Sequence, residues 1–181
     1  PPENLEFLVS EYERKASGLR HNLHATINAL STIRSFSPAT SKVLEYHGAD
    51  GLKQMVWNQS KAKGYFKVYE LASLDKHLPT HFAEKMRKVW TEKGIKSYDL
   101  TNNQDWKLTT KVDGYQKLCN TRFINPELLN IEFETIIYNN VVALISYTED
   151  DIFGVEIYND KLARQQEQLF DMLWAQSKVI A

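Results

Sequence analysis

Cys119 is the only thiol in the chain, so an internal disulfide and a thiolate zinc cluster are both excluded, and a reducing, cytoplasmic setting is expected. Glycine is scarce, with seven in 181 residues. No glycine-rich loop follows a strand, which leaves no phosphate cradle of the nucleotide-binding kind, and no Gly-x-Ser-x-Gly elbow offers a nucleophile. An excess of one charge is also missing. Lys and Arg number 22 against 23 Asp and Glu, a net charge of −1, so the whole chain has no electrostatic pull toward nucleic acid or an anionic membrane. No apolar run reaches the roughly 18 residues of a membrane span. Pro1-Pro2-Glu3-Asn4 lacks the basic and apolar regions of a signal peptide. What remains is ordinary globular material: 43% apolar, 12% aromatic and 25% charged residues, enough to bury about two-thirds of the unfolded surface. A chain that starts Pro-Pro without Met is expected to be a fragment of something longer.

The first stretch carries Leu5, Leu8, Tyr12, Ala16, Leu19, Leu23, Ile27 and Leu30 at 3-4-4-3-4-4-3 spacing. That pattern predicts one long helix with a single apolar stripe. Its eleven-residue period, about 3.67 residues per turn, favours a straight or slightly right-handed seam. Such a helix would run to Ser37, where Pro38 ends it. At about 1.5 Å per residue it spans some 45 Å, too long for a domain of this size to cover, so it is expected to pair with a second copy as a coiled-coil dimer. The predicted organisation is therefore residues 1–37 as a dimerisation helix and 38–181 as an α/β domain.

In that domain, Lys42–Tyr46 alternates as a strand and a helix follows to about Lys63. Tyr65–Leu71 is a second strand, a helix from Ser73 carries Phe82, Met86, Val89 and Trp90, and Ile95–Leu100 is a third strand. Strand, helix, strand, helix, strand with short joints predicts a parallel sheet. Asp105–Cys119 reads as an irregular helical segment. Beyond it the pattern turns antiparallel, with Ile131–Tyr138 and Val141–Tyr147 flanking Asn139-Asn140, two residues that tolerate the positive φ of a hairpin turn. Ile152–Tyr158 is a further strand. Asn159-Asp160 then caps a last helix, whose buried face is predicted as Leu162, Leu169, Phe170, Leu173 and Trp174.

Chemistry-bearing constellations are few. His77 with His81, and His21 with His24, have the spacing of metal-ligand pairs, but neither has a Cys or carboxylate partner, and Pro79 interrupts the first; no metal and no cofactor are expected. Glu149-Asp150-Asp151 reads as a solvated turn. In open α/β sheets ligands gather at the carboxyl ends of parallel strands, which makes Glu45, Tyr46 and His47 the best-placed candidates. Aromatic and basic residues that could line a cavity with them are Trp57, Tyr69 and Arg122.

Several segments in order resemble a known family. These are Pro2-Glu-Asn-Leu5 opening the helix, Val43-Leu-Glu-Tyr-His-Gly-Ala-Asp-Gly-Leu52, Lys93-Gly94-Ile95, Thr121-Arg-Phe-Ile124, and Phe153-Gly-Val-Glu-Ile-Tyr-Asn-Asp160 followed by Phe170-Asp-Met-Leu-Trp174. Together they are similar to the part of TrmB-like transcriptional regulators that follows the winged helix. The resemblance implies a phospholipase-D-like α/β sandwich with parallel strands, an antiparallel C-terminal hairpin and a closing helix. It also implies a homodimer joined by the long helix, a small-molecule effector such as a sugar, and DNA binding by a winged helix-turn-helix that this chain lacks. The His-x-Lys of phospholipase D enzymes is missing at all five histidines, so the expectation is a regulatory domain and not an enzyme. The alternatives are a phosphodiester- or glycoside-processing enzyme on a related fold, and a protein-interaction module without a ligand.

Overall fold

The computed structural model describes residues 5–18, 41–71, 76–147 and 152–180. The chain divides into two units, Pro1–Thr40 and Ser41–Ala181. In the first, residues 5–18 are helical (α1). Glu11 lies 3.7 Å from Lys15 and 3.9 Å from Arg14, one turn apart in the favourable acid-first order, which stabilises an exposed helix by a few tenths of a kcal/mol per pair. Leu5, Leu8 and Tyr12 of the predicted stripe are exposed. Leu19, Leu23, Ile27, Leu30 and the expected stop at Ser37 lie outside the described residues.

The second unit is built on an eight-stranded sheet in the order β1-β7-β6-β5-β2-β3-β4-β8. Its strands are β1 (Lys42–His47), β2 (Tyr65–Glu70), β3 (Lys96–Thr101), β4 (Cys119–Phe123), β5 (Glu134–Tyr138), β6 (Val141–Tyr147), β7 (Ile152–Tyr158) and β8 (Lys178–Val179). The helices are α2 (Gly48–Gln59), α3 (Thr80–Glu92) and α4 (Asp160–Gln176). Among the described residues, only β2, β3 and β4 run parallel. The period-2 alternation of β2 sends Phe66 and Val68 to one face, into a core with Leu52, Met55 and Val56 of α2 and Met86 and Trp90 of α3. Tyr69 goes to the other face, with Ile137 and Phe170 of α4. With both faces covered, β2 is buried along most of its length.

Two expectations are corrected. Lys42–Tyr46 does form a strand, but β1 is not in the parallel set: it pairs antiparallel with β7 at the sheet edge, from Lys42 opposite Tyr158 to His47 opposite Phe153. Alternation identifies a strand and says nothing of its partner, and here a polar anchor, Tyr46 on Glu156 at 2.8 Å, joins the two. The segment Asp105–Cys119 is not helical apart from a single 3-10 turn at Tyr115–Lys117, entered through Gly114 at φ 82°. It is held instead by Glu84 of α3, which accepts from the Lys111 amide at 2.9 Å and the Thr110 hydroxyl at 3.1 Å. Helix α3 begins at Thr80 behind Pro79; the expected helix start at Ser73 lies outside the described residues.

Where the local chemistry is decisive, sequence and structure agree. Asn139 takes φ 50° in the β5–β6 turn, and its side chain ties the turn to the α2–β2 connection through the Lys63 amide and the Lys61 carbonyl, both at 3.0 Å. Asn159 caps α4 by accepting from the amides of Lys161 and Leu162. Phe170 is buried on α4, whereas Leu169 is largely exposed, because the helix lies on the sheet through a narrower face than predicted.

Gly154 in β7 lets the sheet and α2 approach closely. A Cβ there would stand 2.2 Å from Met55 Sδ and 2.9 Å from its Cε, and Met55 is itself buried. Gly154→Val is expected to cost about 1–3 kcal/mol by overpacking, read as a lower urea midpoint. Met55→Ala in the same chain should return part of that loss.

Candidate functional site

On the face covered by α2 and α3, two clusters of polar side chains lie where the alternation would otherwise deliver apolar ones. The first surrounds Glu156 of β7, which is fully buried. Its Oε2 accepts from the hydroxyls of Tyr46 (2.8 Å) and Tyr158 (2.9 Å) and from Asn58 Nδ2 (3.0 Å), and its Oε1 accepts from the Tyr138 hydroxyl (2.9 Å). Burial and the neighbouring carboxylate push the Tyr46 and Tyr138 hydroxyls far above the ordinary phenol range. This network spends the capacity of Glu156 on the fold.

The second cluster is different. Glu70 is the last residue of β2 and Glu134 the first of β5. The register between those strands, Val68 opposite Ile136 and Tyr69 opposite Thr135, carries Glu70 up beside Glu134. Asp99 of β3 lies opposite Val68, where its Oδ2 accepts from Ser97 Oγ at 2.9 Å and Thr121 Oγ1 at 3.3 Å. Arg87 descends from α3, buried, and donates from Nη1 to Glu84 at 2.6 Å. At the end of β6 the Tyr147 ring stacks on His77, 3.8 Å between centroids and 10° from parallel.

Burial is the main influence on all three carboxyl groups. It pushes Asp99 up to about 7 against the opposing hydrogen bonds of Ser97 and Thr121. It pushes Glu134 up to about 8, with Asp99 adding to the rise and Tyr147 opposing it. Glu70 is raised well above its usual range by burial, then by Glu134 and Asp99, while Arg87 opposes. Tyr147 lies near enough to Glu134 to oppose that rise, but Glu134 Oε2 makes no hydrogen bond of ordinary length among the described residues. A carboxyl group whose folded pKa is raised binds more protons in the folded state, so its contribution to stability falls as pH rises from the unfolded value to the folded one. For Glu134 that window runs from about 4.5 to about 8. The melting temperature is therefore expected to fall across it, and Glu134→Gln to flatten the slope, in melts followed by circular dichroism.

Between these groups lies a cavity of about 70 Å³, walled by Asp99, Glu134, Phe66, Val68, Trp90 and Trp106. Exposed Lys107 and Thr109 form its rim. On the opposite face an aromatic box of Tyr65, Tyr98, Phe170 and Trp174 is already occupied by the protein's own Lys67, whose ammonium sits 5.6 Å from the Tyr65 ring and 5.7 Å from Phe170. Asp171 holds that ammonium at 2.7 Å and Glu167 at 3.3 Å.

The six residues expected to bind a ligand are not brought together. Tyr46 belongs to the Glu156 network. Glu45 and His47 are exposed on the reverse face of the edge strand, His47 against the Phe153 ring at 5.3 Å, so they do not stand at the end of a parallel strand. Trp57 is 45% exposed on α2. Tyr69 packs on Phe170 at 5.2 Å, and Arg122 lies 4.6 Å over the Trp174 ring with Nη1 donating to the Trp174 carbonyl at 3.1 Å. Sequence reasoning missed Glu70, Asp99, Glu134, Arg87 and Tyr147. Acids at strand positions whose neighbours two residues away are apolar, as in Val68-x-Glu70 and Glu134-x-Ile136, were the available signal.

No protein-family profile matches the sequence, and no curated protein matches it significantly. Solved structures do. TrmBL2, an archaeal chromatin protein with a novel mode of DNA binding, is 14% identical with a TM-score of 0.51, over 97% of this chain and 69% of its own. Nuc of Salmonella typhimurium, a phospholipase D family member, is 13% identical with a TM-score of 0.53, over 77% of this chain and 97% of its own. NucT from Helicobacter pylori is 10% identical with a TM-score of 0.56, over 77% and 99%. The fold is thus a mixed α/β sheet of the phospholipase-D-like kind, shared with an archaeal TrmB-like protein. The expectation of no enzymatic role is corrected by the same likeness, because Nuc belongs to the phospholipase D family and the fold is one on which that family is built. Among the described residues no helix is long and apolar enough to cross a membrane.

Proposed function

We propose that this chain is the regulatory part of a TrmB-like transcriptional regulator. Its α/β unit takes up a small molecule in the cavity between β2, β3, β5 and α3, its N-terminal helix joins two copies, and DNA is read by a winged helix outside this sequence. One observation carries the reading: a carboxylate-walled cavity in which Glu134 Oε2 has no partner among the described residues. A polar group left unpaired in a buried wall costs stability unless something satisfies it. Likeness to TrmBL2 along 97% of the chain supports the regulatory context. The test is twofold. Light scattering over a range of concentrations should give a dimer that weakens with Leu19→Asp and Leu23→Asp. A metabolite library screened by thermal shift should give hits that vanish in Glu134→Gln. A monomer at all concentrations, together with hits indifferent to Glu134, would sink the reading.

A second reading has an observation of its own. Carboxyl groups that hold their protons near neutral pH, beside the buried Arg87 and at the end of parallel β2, are equipped for general acid chemistry on an anionic substrate. Hydrolysis of bis(p-nitrophenyl) phosphate or a p-nitrophenyl glycoside that disappears in Asp99→Asn and Glu134→Gln would put the enzyme first.

A further inference from the structure

We propose that the cavity beside Glu134 takes the head of a small organic cation, a primary amine or guanidinium group, with the rest of the ligand leaving past Lys107 and Thr109. This names the ligand class of the site proposed above and rests on that reading.

Charge gives the first reason. Glu70, Asp99 and Glu134 converge on the cavity from three strands; of the two cationic side chains that line it, Arg87 already donates to Glu84 and Lys107 stands exposed at the rim. Burial is what holds the protons on Asp99 and Glu134. A cation entering there would displace those protons and supply the opposite charge that the ionised acids lack in the cavity.

Hydrogen bonding gives the second. Glu134 is 5% exposed, yet its Oε2 has no hydrogen bond of ordinary length among the described residues, although the Tyr147 hydroxyl lies near it. An ammonium or guanidinium group brings donors and no acceptor, which is what Glu134 Oε2 requires once the entering cation has displaced its proton. Asp99, by contrast, already accepts from Ser97 and Thr121, so Glu134 is the oxygen that a ligand would reach first.

Shape and walls narrow the class. Among the described residues no group of three His, Cys, Asp or Glu side chains that could hold a metal ion is found. The volume of about 70 Å³ is roughly half the ~150 Å³ that admits benzene, which suits a head group and excludes a bulky ligand entering whole. Phe66, Trp90 and Trp106 supply aromatic surface, to which a desolvated cation is attracted.

The test uses the 181-residue chain and three probes of one length: butylammonium, 1-butanol and butyrate, with glucose as a neutral polyol. Binding is followed by calorimetry on the wild type, Glu134→Gln and Trp106→Ala, each checked for folding by circular dichroism. Asp99→Asn replaces Glu134→Gln should the latter not fold. The expected result is butylammonium at least tenfold tighter than 1-butanol, a loss of at least tenfold in Glu134→Gln, a smaller loss in Trp106→Ala, and no binding of butyrate. Equal binding of butanol and butylammonium, or cation binding untouched by both acid variants, overturns the cation class. Glucose or butanol binding that is sensitive to Glu134, without cation binding, overturns the cation and leaves the cavity standing as a ligand site. If no probe binds and the library also gives no Glu134-dependent hit, both readings fall.

Discussion

Glu156→Ala is expected to unfold the α2 side of the sheet first and to cost about 3–5 kcal/mol, in line with breaking a buried, fully hydrogen-bonded carboxylate. The reason is the number of groups that converge on it. Tyr46 of β1, Asn58 at the end of α2, Tyr138 of β5 and Tyr158 of β7 all donate to its two oxygens. Removing the acceptor takes a buried hydrogen bond from donors on four elements at once and leaves a hole where a side chain was fully buried. For a chain of this length the change corresponds to a melting temperature lower by on the order of 10 °C. Glu156→Gln keeps the shape and one acceptor, so its loss should be less than half as large. Hydrogen exchange should show β1 and α2 opening well before β2 and β3. Uniform loss of protection across the sheet would mean that the network does not act as the local rivet described here.

Phe170→Ala is the second large effect, about 3–5 kcal/mol for a buried ring removed with little chance of collapse around the gap. Phe170 is 1% exposed and sits 5.2 Å from the Tyr69 ring and 5.6 Å from Trp174. It is also one wall of the box around the Lys67 ammonium. With it gone, α4 keeps Ala163 as its remaining fully buried contact, and the Lys67 charge loses an aromatic neighbour while staying near Asp171 and Glu167. Denaturation followed by tryptophan fluorescence, with Trp174 beside the gap, should show the loss. Phe170→Leu should recover more than half of it.

How much of this was legible in the sequence differs from element to element, for physical reasons. Strands β6 and β7 are found where expected, from Val141 to Tyr147 and from Ile152 to Tyr158, because alternation and turn residues are local properties. Asn139 and Asn159 play their expected parts for the same reason. The partner of β1 was not legible, since the Tyr46–Glu156 bond joins residues 110 apart. Nor was the lack of helix between Asp105 and Cys119, which depends on one side chain, Glu84, reaching across from α3. The candidate site was hidden in the same way. Each of Glu70, Asp99 and Glu134 looks like an ordinary polar residue in its own strand, and only the register of β2 with β3 and β5 gathers them on one face. The ligand residues proposed from sequence, Glu45 and His47 above all, were chosen for the end of a parallel strand, and β1 is not one.

The pairing of β1 with β7 also sets a timetable. As the chain leaves the ribosome, β1 and α2 emerge early, but the strand that β1 pairs with and the carboxylate that Tyr46 and Asn58 bind come roughly a hundred residues later. Synthesis at about 5–20 residues per second leaves that interval open for several seconds or more. Through it, Leu52, Met55 and Val56 have only part of their eventual cover, and the edge of β1 has no neighbour from its own sheet. A nascent chain halted before β7 should therefore bind chaperones through α2, and release from them should coincide with the emergence of Glu156.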